Sequence, residues 1–152
     1  MHVAGALIFV LGHGVSVGVA FKVRVEREPQ RIQALLQLSA WAIGLTYVGI
    51  LLLLAAGIWA GFTPGAPGSW WEQAWIWVAL GTFVLTMFLM YGLATNYYKR
   101  LRTITDAMVG GSEAVSEERL AEVLSGPRPW LLAAIGFGSL FFILYLMMFK
   151  PF

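Results

Sequence analysis

Four long apolar stretches divide the chain, over residues 3–21, 32–61, 70–98 and 130–149. Within each, apolar side chains follow one another without the strict alternation of a half-exposed strand. Each stretch is long enough to cross the ~30 Å hydrocarbon layer of a bilayer as a helix. Peptide groups surrounded by lipid must bond one another, which only helices and closed barrels permit, and unbroken apolar runs select helices. The pattern predicts an all-α polytopic membrane protein, a single domain of four transmembrane helices in a bundle.

The polar positions gather in two segments. The first carries Lys22, Arg24, Arg27 and Arg31, and the second, residues 99–128, carries Lys99, Arg100, Arg102, Arg119 and Arg128. Of the ten Lys and Arg, only Lys150 falls elsewhere. The positive-inside rule puts both segments in the cytoplasm and both chain ends outside, an N-out/C-out arrangement in a bacterial-type cytoplasmic (inner) membrane. The first apolar run has no Lys or Arg before it and several after it, the reverse of a signal peptide, so it reads as a retained span.

The second polar segment predicts a short helix over residues 116–124. Ser116 can cap it, Glu117 and Glu118 suit its positive end, and Gly126 with Pro127 stops it. Leu120, Val123 and Leu124 give it an apolar edge. Its polar side is mostly acidic, which favours docking on the basic first segment or on a partner over binding anionic lipid. The alternative is a solvated connector.

Composition agrees with the pattern. Hydrophobic residues make up 59% and charged residues 12% of the 152, about half the charge an ordinary soluble domain carries. The net charge of +2 sits in clusters beside apolar runs. The partner this implies is the lipid bilayer, together with other membrane subunits or self-association, and not nucleic acid. The absence of cysteine removes disulfides and thiol catalysis.

Residues 62–69, F-T-P-G-A-P-G-S, form an uncharged turn. Trp70, Trp71, Trp75 and Trp77 follow it, with Glu72 among them. Indoles at a helix entrance anchor it at the membrane interface, and a carboxylate suits a helix N-terminus. Glu72 is also a candidate partner for His2, since both belong at the outer surface.

The two histidines, His2 and His13, carry most of the chemical interest. Both lie in the first span, about three turns and ~16 Å apart, on nearly the same side. They cannot share one metal ion within one helix. His13 lies near mid-span, where an ionisable group is costly and marks a candidate site. Three readings are open for it: a neutral imidazole hydrogen-bonded to Thr46, Tyr47, Thr82 or Thr86, an axial ligand of haem b, or a proton-transfer group. His2 is the second candidate haem ligand. Met87 and Met90 are in-chain candidates for an opposing ligand. No metal-spaced cluster of ligands is present.

Small residues line the same span. Gly5, Gly12, Ser16 and Ala20 share the histidine side, where a helix or a flat cofactor could come close. Gly14 and Gly18 form a small-xxx-small pair on an adjacent face, and Gly136 and Gly138 lie in the fourth span. These four glycines predict close helix packing. HExxH, a phosphate-binding P-loop and GxSxG are all missing. No catalytic residue is assigned, and enzymatic activity is not implied.

Residues 2–16, H-V-A-G-A-L-I-F-V-L-G-H-G-V-S, and residues 20–32, A-F-K-V-R-V-E-R-E-P-Q-R-I, resemble the DUF2269-type integral membrane proteins. More loosely they resemble the CopD-like group, which includes the copper-resistance protein CopD and the protoporphyrinogen oxidase HemJ. The resemblance implies a role for histidine at the start of the first span, here His2, and an association with haem or copper chemistry. Three functions stand open at this point. The chain could be a haem-binding or accessory subunit of a larger membrane redox complex. It could instead be a free-standing small transporter or membrane oxidoreductase, or a purely structural membrane subunit.

Overall fold

The computed structural model describes residues 1–62, 72–111 and 117–151. Among these residues every regular element is an α-helix: α1 (His2–Val25), α2 (Pro29–Gly61), α3 (Ala74–Val109), α4 (Glu117–Ser125) and α5 (Arg128–Phe149). Helices α1, α2, α3 and α5 are each long and apolar enough to cross a membrane.

The breaks between helices have local causes. Glu28 precedes Pro29 and is held extended (φ −85°, ψ 116°), because the proline ring crowds the helical conformation of the residue before it. Pro29 then opens α2 at a position where a missing N–H costs nothing. Glu26 is extended too, and its Oε1 accepts hydrogen bonds from the N–H groups of Arg27 (3.0 Å) and Glu28 (3.3 Å). Those bonds favour the ionised carboxylate and hold its pKa below the usual glutamate range. At the end of α3, Gly111 takes φ +74°, a left-handed conformation that glycine adopts without a Cβ penalty.

Helix α3 does not stop at Tyr98. Residues 99–109, read from the sequence as part of a loop, continue the helix to a total of 36 residues. That is ~54 Å of helix, well beyond the ~30 Å of hydrocarbon. The excess belongs to the basic end, where it gives α4 something to pack on. The predicted capping residue Ser116 lies outside the described residues.

Packing is uneven along the molecule. Helix α1 packs chiefly on α2, and α3 on α5, while α2 meets α3 and α1 meets α5 more sparingly. The buried core gathers at the basic end: Val19, Val23, Ile32, Leu36, Tyr97, Leu101 and Ile104, closed over by Leu120 and Leu124 of α4. Arg24 Nη2 donates to the Ser125 carbonyl at 3.4 Å, and Gln33 Nε2 donates to Asp106 Oδ1 at 2.6 Å. Both bonds tie the two basic segments to each other. Toward the other end α3 buries little before Tyr97, with Ala79 its sole fully buried residue there. The two helix pairs leave a cavity between them.

The α1–α2 contact is made backbone to backbone. A Cβ on Gly49 would lie 2.5 Å from the Phe9 nitrogen, one on Gly12 2.7 Å from the Ala42 carbonyl oxygen, and one on Gly5 2.9 Å from the Leu53 nitrogen. The close packing predicted at Gly14, Gly18 and Gly138 is not made among the described residues, because a Cβ at any of the three would meet none of them within 4 Å. The glycines that bring helices together are instead those whose missing side chains face a neighbouring backbone. Of the predicted set, only Gly136 lies at a contact, and its neighbour is the His13 ring.

Candidate functional site

The cavity has a volume of about 1090 Å³ and is lined from α1, α2, α3 and α5. Its walls are mainly apolar, with Ile, Leu and Ala the most frequent side chains. All four candidate ligand residues from the sequence reach it: His2 and His13 from α1, Met87 and Met90 from α3. Its volume is at or just above the top of the ~300–1,000 Å³ range usual for small-molecule and cofactor pockets.

The two histidines are held differently. His2 Nδ1 lies 3.1 Å from the Leu53 carbonyl oxygen. A carbonyl only accepts, so Nδ1 is the donor. In a neutral imidazole this leaves Nε2 with its lone pair free. A backbone carbonyl fixing the tautomer in this way is the usual support behind a metal-bound histidine. Glu72 does not supply that support: His2 is committed to Leu53, and the two side chains form no ion pair. The outer pairing read from the sequence is replaced by a bond across the α1–α2 seam.

His13 is buried, and its Nε2 has no hydrogen-bond partner. The ring stacks on Phe9 (centroids 5.8 Å apart, planes 5° apart) and meets Phe137 edge-on at 5.3 Å. Nε2 points at Gly136, where a Cβ would collide with it. Three of the four hydroxyls expected to bond His13, those of the threonines, are committed elsewhere. Thr46 donates to the Ala42 carbonyl at 2.9 Å and Thr82 to the Val78 carbonyl at 2.8 Å. Thr86 reaches the Thr82 carbonyl at 2.7 Å and Ser139 Oγ at 2.8 Å.

Two polar features of the cavity escaped the sequence reading. Ser16 and Ser39 share a hydrogen bond of 2.9 Å between α1 and α2, and the Tyr98 hydroxyl bonds both from α3. This hydroxyl cluster closes the cavity toward the basic end, where Lys99 and Arg102 also line it. Arg102 Nη2 donates to the Leu36 carbonyl at 3.2 Å. At the opposite end Lys150 Nζ sits 5.8 Å from the centroid of the Trp75 ring, and Trp75 Nε1 donates to Gln73 Oε1 at 2.8 Å. Trp75 and Trp77 line the cavity there. Glu72 is exposed, and Trp70 and Trp71 lie outside the described residues.

Comparison with known families places the chain. A family model described as a predicted integral membrane protein (DUF2269) matches residues 1–151. The chain belongs to this family. No curated protein and no solved structure matches it. It is therefore a multi-pass integral membrane protein by family and by its four long apolar helices.

Whether the site suits haem depends on which nitrogen is free to bind iron. His13 does not suit it as held here, because α5 stands against Nε2 at Gly136. His2 does, since its Nδ1 is fixed by a carbonyl and its ring lines the cavity.

Proposed function

We propose that the protein binds haem b in the cavity between its two helix pairs, with His2 Nε2 as the axial ligand. The supporting observation is the His2 Nδ1–H bond to the Leu53 carbonyl, which orients the ring and leaves Nε2 as the ligand atom. Met87 and Met90 line the α3 wall near the depth of His13, about three helical turns from His2, so they would contact the cofactor's surroundings and not share its iron with His2. Bound haem would supply one-electron chemistry. The chain's own residues would hold the macrocycle among apolar side chains and exclude water. His13, wedged between Phe9, Phe137 and Gly136, would then be a packing group of the cavity wall and not the ligand.

The test is the absorption spectrum of protein expressed with ample haem. A Soret band is expected that His2→Ala abolishes and His13→Ala retains. A colourless preparation that also fails to shift the spectrum of added haemin would sink the proposal.

In this reading the four spans form a bundle in a bacterial-type inner membrane, with both chain ends outside, as the basic segments direct. Labelling of each terminus from either side tests the orientation. The protein then serves as an accessory subunit of a larger membrane redox complex. Gly14, Gly18 and Gly138, which meet nothing among the described residues, favour a neighbouring membrane helix, from a partner subunit or a second copy. Co-purification of a stoichiometric partner supports this, and a lone monomer in mild detergent counts against it. A transporter fits less well, because the cavity offers few polar groups for a hydrophilic substrate.

A further inference from the structure

A second, smaller pocket of about 130 Å³ opens at the basic end, where α4 turns into α5. It is lined by Tyr97, Arg100, Glu122, Val123, Gly126, Pro127 and Arg128. Tyr97 is 1% exposed, and its hydroxyl makes no hydrogen bond. Burying a hydroxyl without a partner is costly, so such a group calls for an explanation. Arg24 and Arg128 both lie within electrostatic reach of that hydroxyl. Arg24 leaves Nη1 buried and unpartnered, while its Nη2 holds the Ser125 carbonyl.

These groups are complementary to one kind of ligand. Arg24, Arg100 and Arg128 form no ion pair within the described residues, and the carboxylate of Glu122 is not bonded to any of them. The pocket also lies at the start of α5, a helix of 22 residues, whose first N–H groups have no helical acceptor. Pro129 removes one of those donors, leaving the N–H groups of Arg128 and Trp130. Donors and positive charge therefore converge from α3 and the α4–α5 turn on a space the size of a few waters, with the unpartnered Nη1 of Arg24 on α1 close beside it. An acyl chain or a nucleoside does not fit, but a tetrahedral oxyanion does.

We propose that this pocket binds a phosphate group, with the Tyr97 hydroxyl and the guanidiniums of Arg24, Arg100 and Arg128 as its donors. The phosphate can belong to an anionic lipid at the membrane surface or to a free phosphate in the aqueous phase, and the chemistry of recognition is the same. Bound there, it would cross-link α1, α3 and α5 at the end where the two helix pairs are already joined. Helix α4, lying over the core by Leu120 and Leu124, would be held in place by the same contact.

The experiment uses the full-length protein in nanodiscs. One arm is made of phosphatidylcholine alone and titrated with inorganic phosphate, and binding is read by thermal shift. The other contains a tenth phosphatidic acid, with lipid retention read by native mass spectrometry. Binding in the first arm assigns the site to a soluble phosphate. Retention in the second without binding in the first assigns it to the lipid headgroup. In whichever arm is positive, R24Q/R128Q should weaken binding at least tenfold and Tyr97→Phe, which keeps the ring in the core, several-fold. Arg27→Gln, a change outside the pocket, should leave binding intact. No binding in either arm, or equal binding by R24Q/R128Q and Arg27→Gln, overturns the proposal.

Discussion

The α1–α2 seam and the α3–α5 seam join pairs of apolar helices of similar composition by different means. Along the first, glycines at 5, 12 and 49 let two backbones touch, and a serine pair bonds across. Along the second, contact is made by side chains and by one hydroxyl pair, Thr86 to Ser139. In lipid there is little hydrophobic gain from bringing helices together, so close van der Waals approach and hydrogen bonds decide which helices bind tightly. The first pair is thus a fixed wall, and the second is the wall that leaves room. The cavity lies between a seam built to exclude everything and one built mainly from side chains.

The most damaging test of that contrast is Gly49→Leu. Its side chain would run into the Phe9 backbone, which cannot turn aside. A loss of about 3 kcal/mol is expected, read as a lowered unfolding midpoint in detergent. Gly12→Ala should cost about 2 kcal/mol for the same reason, at the Ala42 carbonyl. If either variant melts like the unaltered protein, the seam is not tight. Next in size, and opposite in sign, are Gly14→Ala and Gly18→Ala. Nothing among the described residues meets the new methyl groups, so the isolated monomer should gain about 0.5–1 kcal/mol each from helix propensity. A loss instead would place a partner helix on that face.

Across the other seam, Thr86→Val removes the hydroxyl that bonds Ser139 and should cost about 0.6 kcal/mol, typical of hydrogen bonds between membrane helices. A cost equal to that of Gly12→Ala would erase the contrast. The smallest effect belongs to Glu26→Gln at the α1–α2 turn. The Glu26 carboxyl is held below its ordinary pKa by the N–H groups of Arg27 and Glu28. Its stabilisation is therefore present in full above the ordinary glutamate value and disappears as the pH falls through the lowered one. The glutamine variant should flatten that part of the pH–stability curve, and an unchanged curve would show that the turn does not depend on the charge.

Much of this was legible in the chain. Apolar runs located the four long helices, and every end but the basic end of α3 to within a few residues, because lipid leaves the backbone one local solution. Gly126 with Pro127 marked a real helix end, that of α4. The continuation of α3 through residues 99–109 was not legible, since polar residues on a helix that leaves the membrane look like those of a loop. Gly49 carried no signal among the large apolar residues around it. Its importance comes from facing Phe9 of another helix. His2 and His13 shared one face by periodicity, but that said nothing of what each ring would touch.

The sequence by itself determined that the chain is helical, lies in a membrane and carries its positive charge at one end, because each of these follows from local hydropathy and charge. Tertiary structure alone decided which glycines seal a seam, that Leu53 holds His2 while Gly136 blocks His13, and that Tyr97, Arg100 and Arg128 line one small pocket with Arg24 close by. Those facts depend on which helix stands beside which and at what rotation. Between spans that all present greasy surfaces to lipid, only the shape of the packed contacts distinguishes one arrangement from another.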